Sequence, residues 1–162
     1  MNSIERAADR VAQGLALVGA IGLMALLLHV AAEVLARNLL DRPIPATNEI
    51  VSRYYMVLIA FLPLAWVERS RAMISVEILD SFLPSPLMRL SDILVAVIAC
   101  VIYAAIAWVT SGDAVKNYAL GTFVDVLGYA LPVWPTYFLP PAGFLLAALI
   151  TALRGIQIAR RP

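Results

Sequence analysis

The sequence predicts an all-α integral membrane protein: four transmembrane helices, with a short interfacial amphipathic helix between helices 2 and 3. Three observations predict it. Of 162 residues, 62% are hydrophobic and only 14% are charged, whereas soluble domains carry about 25% charged residues. The apolar residues gather into four long stretches separated by polar connections. Lys and Arg crowd onto alternate connections, as they do in a chain threaded repeatedly through a bilayer.

The first span is expected over residues 11–36, where between Val11 and Ala32 only Gln13 and His29 are notably polar. A helix needs about 20 such residues to cross a hydrocarbon core of about 30 Å. A signal peptide has an apolar region of only about 7–15 residues and then a small-residue cleavage site. This stretch is longer and runs into Glu33 and Arg37, so it is expected to be a retained span.

The second span, residues 47–67, is weaker, because its strictly uncharged part begins only at Tyr54. Glu49 and Arg53 are therefore placed in its first turns, near an interface. Pro63 falls inside it and is expected to kink or unwind the helix locally.

The connection that follows has its own pattern. Ile74, Ile78 and Phe82 recur at four-residue spacing, joined by Leu79 and Leu83, while Glu77, Asp80 and Ser81 fall opposite. This predicts a two-faced helix over about 73–83, too short to cross and suited to lie along the surface. Its acidic polar face makes a protein partner at least as good a match as lipid headgroups. Ser85 as N-cap, with Pro86 at the first helical position, would launch the third span at 87–111.

Between spans three and four, residues 112–131 carry Tyr118, Phe123 and Tyr129 and lead to Trp134 and Tyr137, an expected interfacial aromatic belt. Part of this segment is expected to continue the third helix. The fourth span, 132–153, contains no charge; Pro132 and Pro135 suit a helix start, and Pro140 and Pro141 imply a bend. One four-span domain over 1–162 accounts for the chain.

Eight Lys and Arg residues fall on one side: Arg6, Arg10, Arg69, Arg71, Arg89, Arg154, Arg160 and Arg161. The opposite connections hold three, Arg37, Arg42 and Lys116, with Arg53 inside a span. The richer side is expected to be cytoplasmic, which puts both termini inside. The net charge of +1 points to no nucleic-acid partner.

His29, Glu33 and Arg37 form a stripe at i, i+4, i+8 on the first helix. Glu49 and Arg53 repeat the acid-then-base pair on the second. Ionisable residues at a bilayer centre cost about 2.5–3.5 kcal/mol each, so such residues serve a relay or are neutralised locally. All five lie near one end of their spans, away from the midplane where transport sites sit. Ion pairs that dock helices or a partner are therefore the expected role. The single Cys100 excludes a disulfide within the chain and is expected to be a packing residue. With one histidine and no phosphate-binding or metal-ligand motif, neither a cofactor nor enzymatic chemistry is expected.

The segment from Arg37 to Leu87 carries a family resemblance. Arg37 to Pro45 reads RNLLDRPIP, Asn48-Glu49-Ile50 opens the second span, and an apolar run leads to Phe61-Leu62. Arg69 to Leu79 reads RSRAMISVEIL; later come Pro132-Val133-Trp134-Pro135-Thr136-Tyr137 and Pro141-Ala142-Gly143. In span number, order and these motifs, the chain resembles the small (DctQ-like) membrane subunit of tripartite ATP-independent periplasmic (TRAP) transporters. It departs from the family pattern at Pro63, where a Gly is usual, at Ala72 and Met73, where Gly and His are usual, and at Glu77, where Asp is usual.

The resemblance implies a non-enzymatic scaffold in the bacterial inner membrane. Its implied partners are a large TRAP membrane subunit carrying the substrate and ion sites, and a periplasmic binding protein that delivers an organic acid such as a dicarboxylate for ion-coupled uptake. Glu33, Arg37, Glu49, Arg53, Trp66 and Trp134 are the candidate subunit-interface residues. Two alternatives remain: a self-sufficient four-helix proton-coupled exporter using Glu33, and a membrane anchor of a redox complex. Transport by the chain alone would mark the first, and a haem Soret band the second.

Overall fold

The computed structural model describes residues 3–70 and 85–160. Four of its helical stretches are long and apolar enough to cross a membrane: Arg10–Leu40, Thr47–Arg69, Leu87–Ala119 and Trp134–Ala159. The expected surface helix at 73–83 lies outside the described residues.

The first helix, α1 (Ser3–Leu40), has 38 residues, which at about 1.5 Å per residue is about 57 Å. It therefore extends well beyond the hydrocarbon. It ends where Asp41 adopts φ 52°, a left-handed conformation that a short polar side chain tolerates. The Arg42 amide then reaches back to the Ala36 carbonyl at 3.3 Å, folding the chain over the helix end.

The second crossing is broken. It consists of α2 (Thr47–Ile50), a π-helical turn over Val51–Tyr55, α3 (Met56–Phe61) and α4 (Leu64–Arg69). Within the wide turn, the Ser52 hydroxyl donates to the Asn48 carbonyl at 2.7 Å, a back-bond of the kind that bends helices. Pro63 stands at the gap between α3 and α4, as expected: with no N–H it cannot donate to the Ile59 carbonyl. Pro63 instead caps α4, accepting the Val67 amide at 2.9 Å.

The third helix, α5 (Ser85–Ala119), continues well past 111. After it comes a feature not expected from the sequence, a hairpin of β1 (Phe123–Val126) and β2 (Tyr129–Pro132) with Val126 opposite Tyr129. Leu127 and Gly128 make the turn, with φ of 53° and 85°. Two positive φ values in succession match the twist of paired strands. Asp125 supports the turn by accepting the Gly128 amide at 2.9 Å.

Pro132 thus ends a strand and does not start a helix. A 3₁₀ turn, Trp134–Phe138, holds Pro135, and α6 runs over Leu139–Arg160. Pro140 and Pro141 sit in the first turn of α6, where missing N–H groups break no helical bond. The adjustment is a change of helix type at Leu139, not a bend deep in the span.

Small residues set the packing, as expected where lipid gives helices no hydrophobic reason to associate. Ala12 of α1, Ala65 of α4 and Ile150 of α6 meet in a buried cluster backed by Leu146. Gly143 of α6 lies against the Phe61 backbone, and Gly19 of α1 against the Pro63 ring. Outward, Leu17, Leu28, Val101 and Trp108 are exposed. An apolar surface this extensive is an interaction surface in water; here it belongs to four helical stretches long and apolar enough to cross a membrane.

Candidate functional site at the loop end of the first two spans

The helical spacing that places Glu33 and Arg37 on one stripe also lets them pair, with Arg37 Nη2 donating to Glu33 Oε1 at 2.5 Å. The second carboxylate oxygen is engaged as well. It accepts the Ile44 amide at 2.9 Å, from the loop eleven residues on. Glu33 is buried although its Arg37 partner is largely exposed. One carboxylate thus closes the α1 ion pair and fastens the loop at Ile44 to the helix.

His29, one turn below, lies between two hydroxyls of the second crossing. Thr47 Oγ1 is 3.5 Å from Nε2, and Tyr55 Oη is 3.5 Å from Nδ1. The Tyr55 ring meets the imidazole edge-on at 5.7 Å between centroids, a favourable geometry for aromatic pairs. The stripe on α1 is therefore turned toward the second span.

Glu49 and Arg53 behave differently. Neither side chain has a hydrogen bond or ion pair among the described residues, and Arg53 is exposed. The reason lies in the backbone: Val51–Tyr55 is π-helical. A π turn adds a residue to the α-helical turn, so positions four apart no longer stack and the expected pair does not form.

Trp134 joins an aromatic group with Tyr118 and Phe138, its ring 5.0 Å from that of Tyr118 and 6.4 Å from that of Phe138. Both the Val133 and Trp134 amides donate to the Thr122 carbonyl, at 2.9 and 3.1 Å. The Tyr54 hydroxyl donates to the Pro132 carbonyl, tying the second crossing to the hairpin. Trp66 stands apart, exposed on α4 at the other end of the bundle.

One polar group was not expected from the sequence. Glu68 of α4 is buried and accepts from the Tyr103 hydroxyl at 3.2 Å, while Arg154 Nη1 of α6 is 3.9 Å from its other oxygen. These residues come from three helices, so no local spacing announces them; the only available signal was an acid, Glu68, ending the second apolar run.

Compared with known proteins, residues 26–161 match the family model described as "Tripartite ATP-independent periplasmic transporters, DctQ component". No match was found among curated proteins or among solved structures.

Proposed function

The chain belongs to the DctQ family of tripartite ATP-independent periplasmic transporters, and from that premise we propose that it is the fixed membrane scaffold against which a large transporter subunit moves. In this reading residues 1–162 form one four-span domain in the bacterial inner membrane, with both termini cytoplasmic. A periplasmic binding protein delivers an organic acid, such as a dicarboxylate, which the large subunit takes up with coupled ions.

The observation that carries the reading is how polar groups are used at the loop end. Glu33 has a donor on each oxygen, and His29 has a hydroxyl beside each ring nitrogen. These groups are joints of the scaffold. A proton-carrying carboxylate needs to release its partners during each cycle, so this geometry favours the scaffold over an exporter that works through Glu33.

Glu49 and Arg53 are left over. An unpaired charge in or beside a membrane is costly, and a partner helix bearing the opposite charge would neutralise each. They are the foremost contacts proposed for the large subunit. Trp66, Trp134 and the Arg37 side chain are further proposed contacts, Trp66 at the other end of the bundle from the rest, with Glu33 holding Arg37 in position.

Arg53→Glu tests this directly. The expected result is loss of co-purification with the large subunit, while the chain itself still inserts and melts normally. Unchanged co-purification together with unchanged substrate uptake would remove Arg53 from the interface. Arg37→Glu should act otherwise, lowering the stability of the isolated chain.

A further inference from the structure

The end of the bundle near both chain termini holds polar groups that the scaffold role leaves unexplained. Below the break at Pro63, α4 is only six residues long, far short of the roughly 12–15 residues at which an isolated helix becomes even marginally stable. What holds it is lateral: Ala65 against Ala12 and Ile150, and Glu68 against its neighbours on α5 and α6.

The Glu68 joint is incomplete as direct contacts. Tyr103 satisfies one oxygen at 3.2 Å, but Arg154 Nη1 stands 3.9 Å from the other. That is beyond hydrogen-bond range, and a polar separation above about 3.5 Å is where a bridging water fits. One turn back on α6, Thr151 is 1% exposed. Its Oγ1 and the Arg154 Nε are both buried and have no hydrogen-bond partner among the described residues. Buried polar atoms of this kind are as a rule satisfied by protein or by ordered water.

The chemistry of the three groups selects the species that can join them. Arg154 Nε only donates, the Glu68 carboxylate only accepts, and the Thr151 hydroxyl does both. Arg154 repels a cation and Glu68 repels an anion. The species is small, neutral, and both donor and acceptor.

We propose that Glu68, Thr151 and Arg154 form an internal water-binding site between α4 and α6. An ordered water there accepts from Arg154 Nε, exchanges a hydrogen bond with Thr151 Oγ1 and donates to Glu68. It completes the joint that holds the lower part of the broken second crossing against α6. The site does not depend on the scaffold reading.

Thr151→Val gives a test whose sign decides. Valine keeps the shape and removes the hydroxyl. If the hydroxyl binds water, Thr151→Val lowers the melting temperature of the purified protein by about 2–4 °C, the shift that about 1 kcal/mol produces at this chain length, and Thr151→Ser restores it. If Thr151→Val melts at or above the parent, the hydroxyl was unpartnered and the proposal is overturned. Combining Thr151→Val with Arg154→Met separates the bridge from a bond within α6. The Thr151→Val loss should shrink by half or more in that background; an undiminished loss refutes the bridge. A density map at about 2 Å resolution gives a reading independent of folding: a peak within about 3.2 Å of both Thr151 Oγ1 and Arg154 Nε is expected, and empty density there refutes the site.

Discussion

Replacing Gly143 by alanine adds one methyl group where α6 crosses α3. The new carbon would overlap the Phe61 carbonyl oxygen and stand 3.1 Å from the Phe61 carbonyl carbon. Both atoms are backbone, and no rotamer change can move them aside, so the helices must separate. Overpacking of this kind costs about 1–3 kcal/mol, while alanine recovers about 0.5–1 kcal/mol of helix preference over glycine. The net loss centres on about 1 kcal/mol, or about 2–4 °C in melting temperature for a chain of this size. Gly112 of α5 is the control, since an added carbon there meets nothing within 4 Å. Gly112→Ala should raise the melting temperature by about 1–4 °C. Both variants can be measured in detergent by size-exclusion thermal melting. A Gly143→Ala protein that melts with or above the parent would show that α6 does not approach Phe61 as described.

Leu127→Asn should stabilise the hairpin by about 1 kcal/mol, because a left-handed conformation costs an ordinary residue about 1–2 kcal/mol and the leucine is 82% exposed; amide exchange of β1 and β2 would slow, and faster exchange would contradict the turn geometry. Glu33→Ala should speed exchange of the Ile44 amide at least tenfold, with Arg37→Ala having a smaller effect; equal effects would mean that the loop is held by something else. With Cys100 replaced by alanine, a cysteine at Lys116 should be labelled from the periplasm, and one at Ser70 only after permeabilisation; the reverse pattern would invert the proposed orientation.

Much of this fold was legible in the residues because the bilayer constrains it strongly: apolar length gives the crossings, and Pro63 gives the break. The Glu33–Arg37 pair was legible because both residues sit on one regular helix, α1. Glu49 and Arg53 have the same spacing, but the π turn between them changes the register, and the sequence gives no clear sign of that turn. The hairpin escaped notice because leucine occupies a position where Asn, Asp or Gly is usual, leaving Gly128 as the only turn signal. Pro132, read as a helix start, closes a strand because the hairpin places it opposite Phe123. The Glu68, Tyr103 and Arg154 group assembles only when three helices pack, and in the sequence Arg154 counts simply as a flanking cation.

Reconstitution tests the scaffold role most directly. The chain, the large membrane subunit and the binding protein would be placed in proteoliposomes together and with each omitted in turn, and uptake of a labelled organic acid measured under an ion gradient. Uptake is expected only when all three are present. Uptake by this chain alone, or undiminished uptake in its absence, would contradict the account.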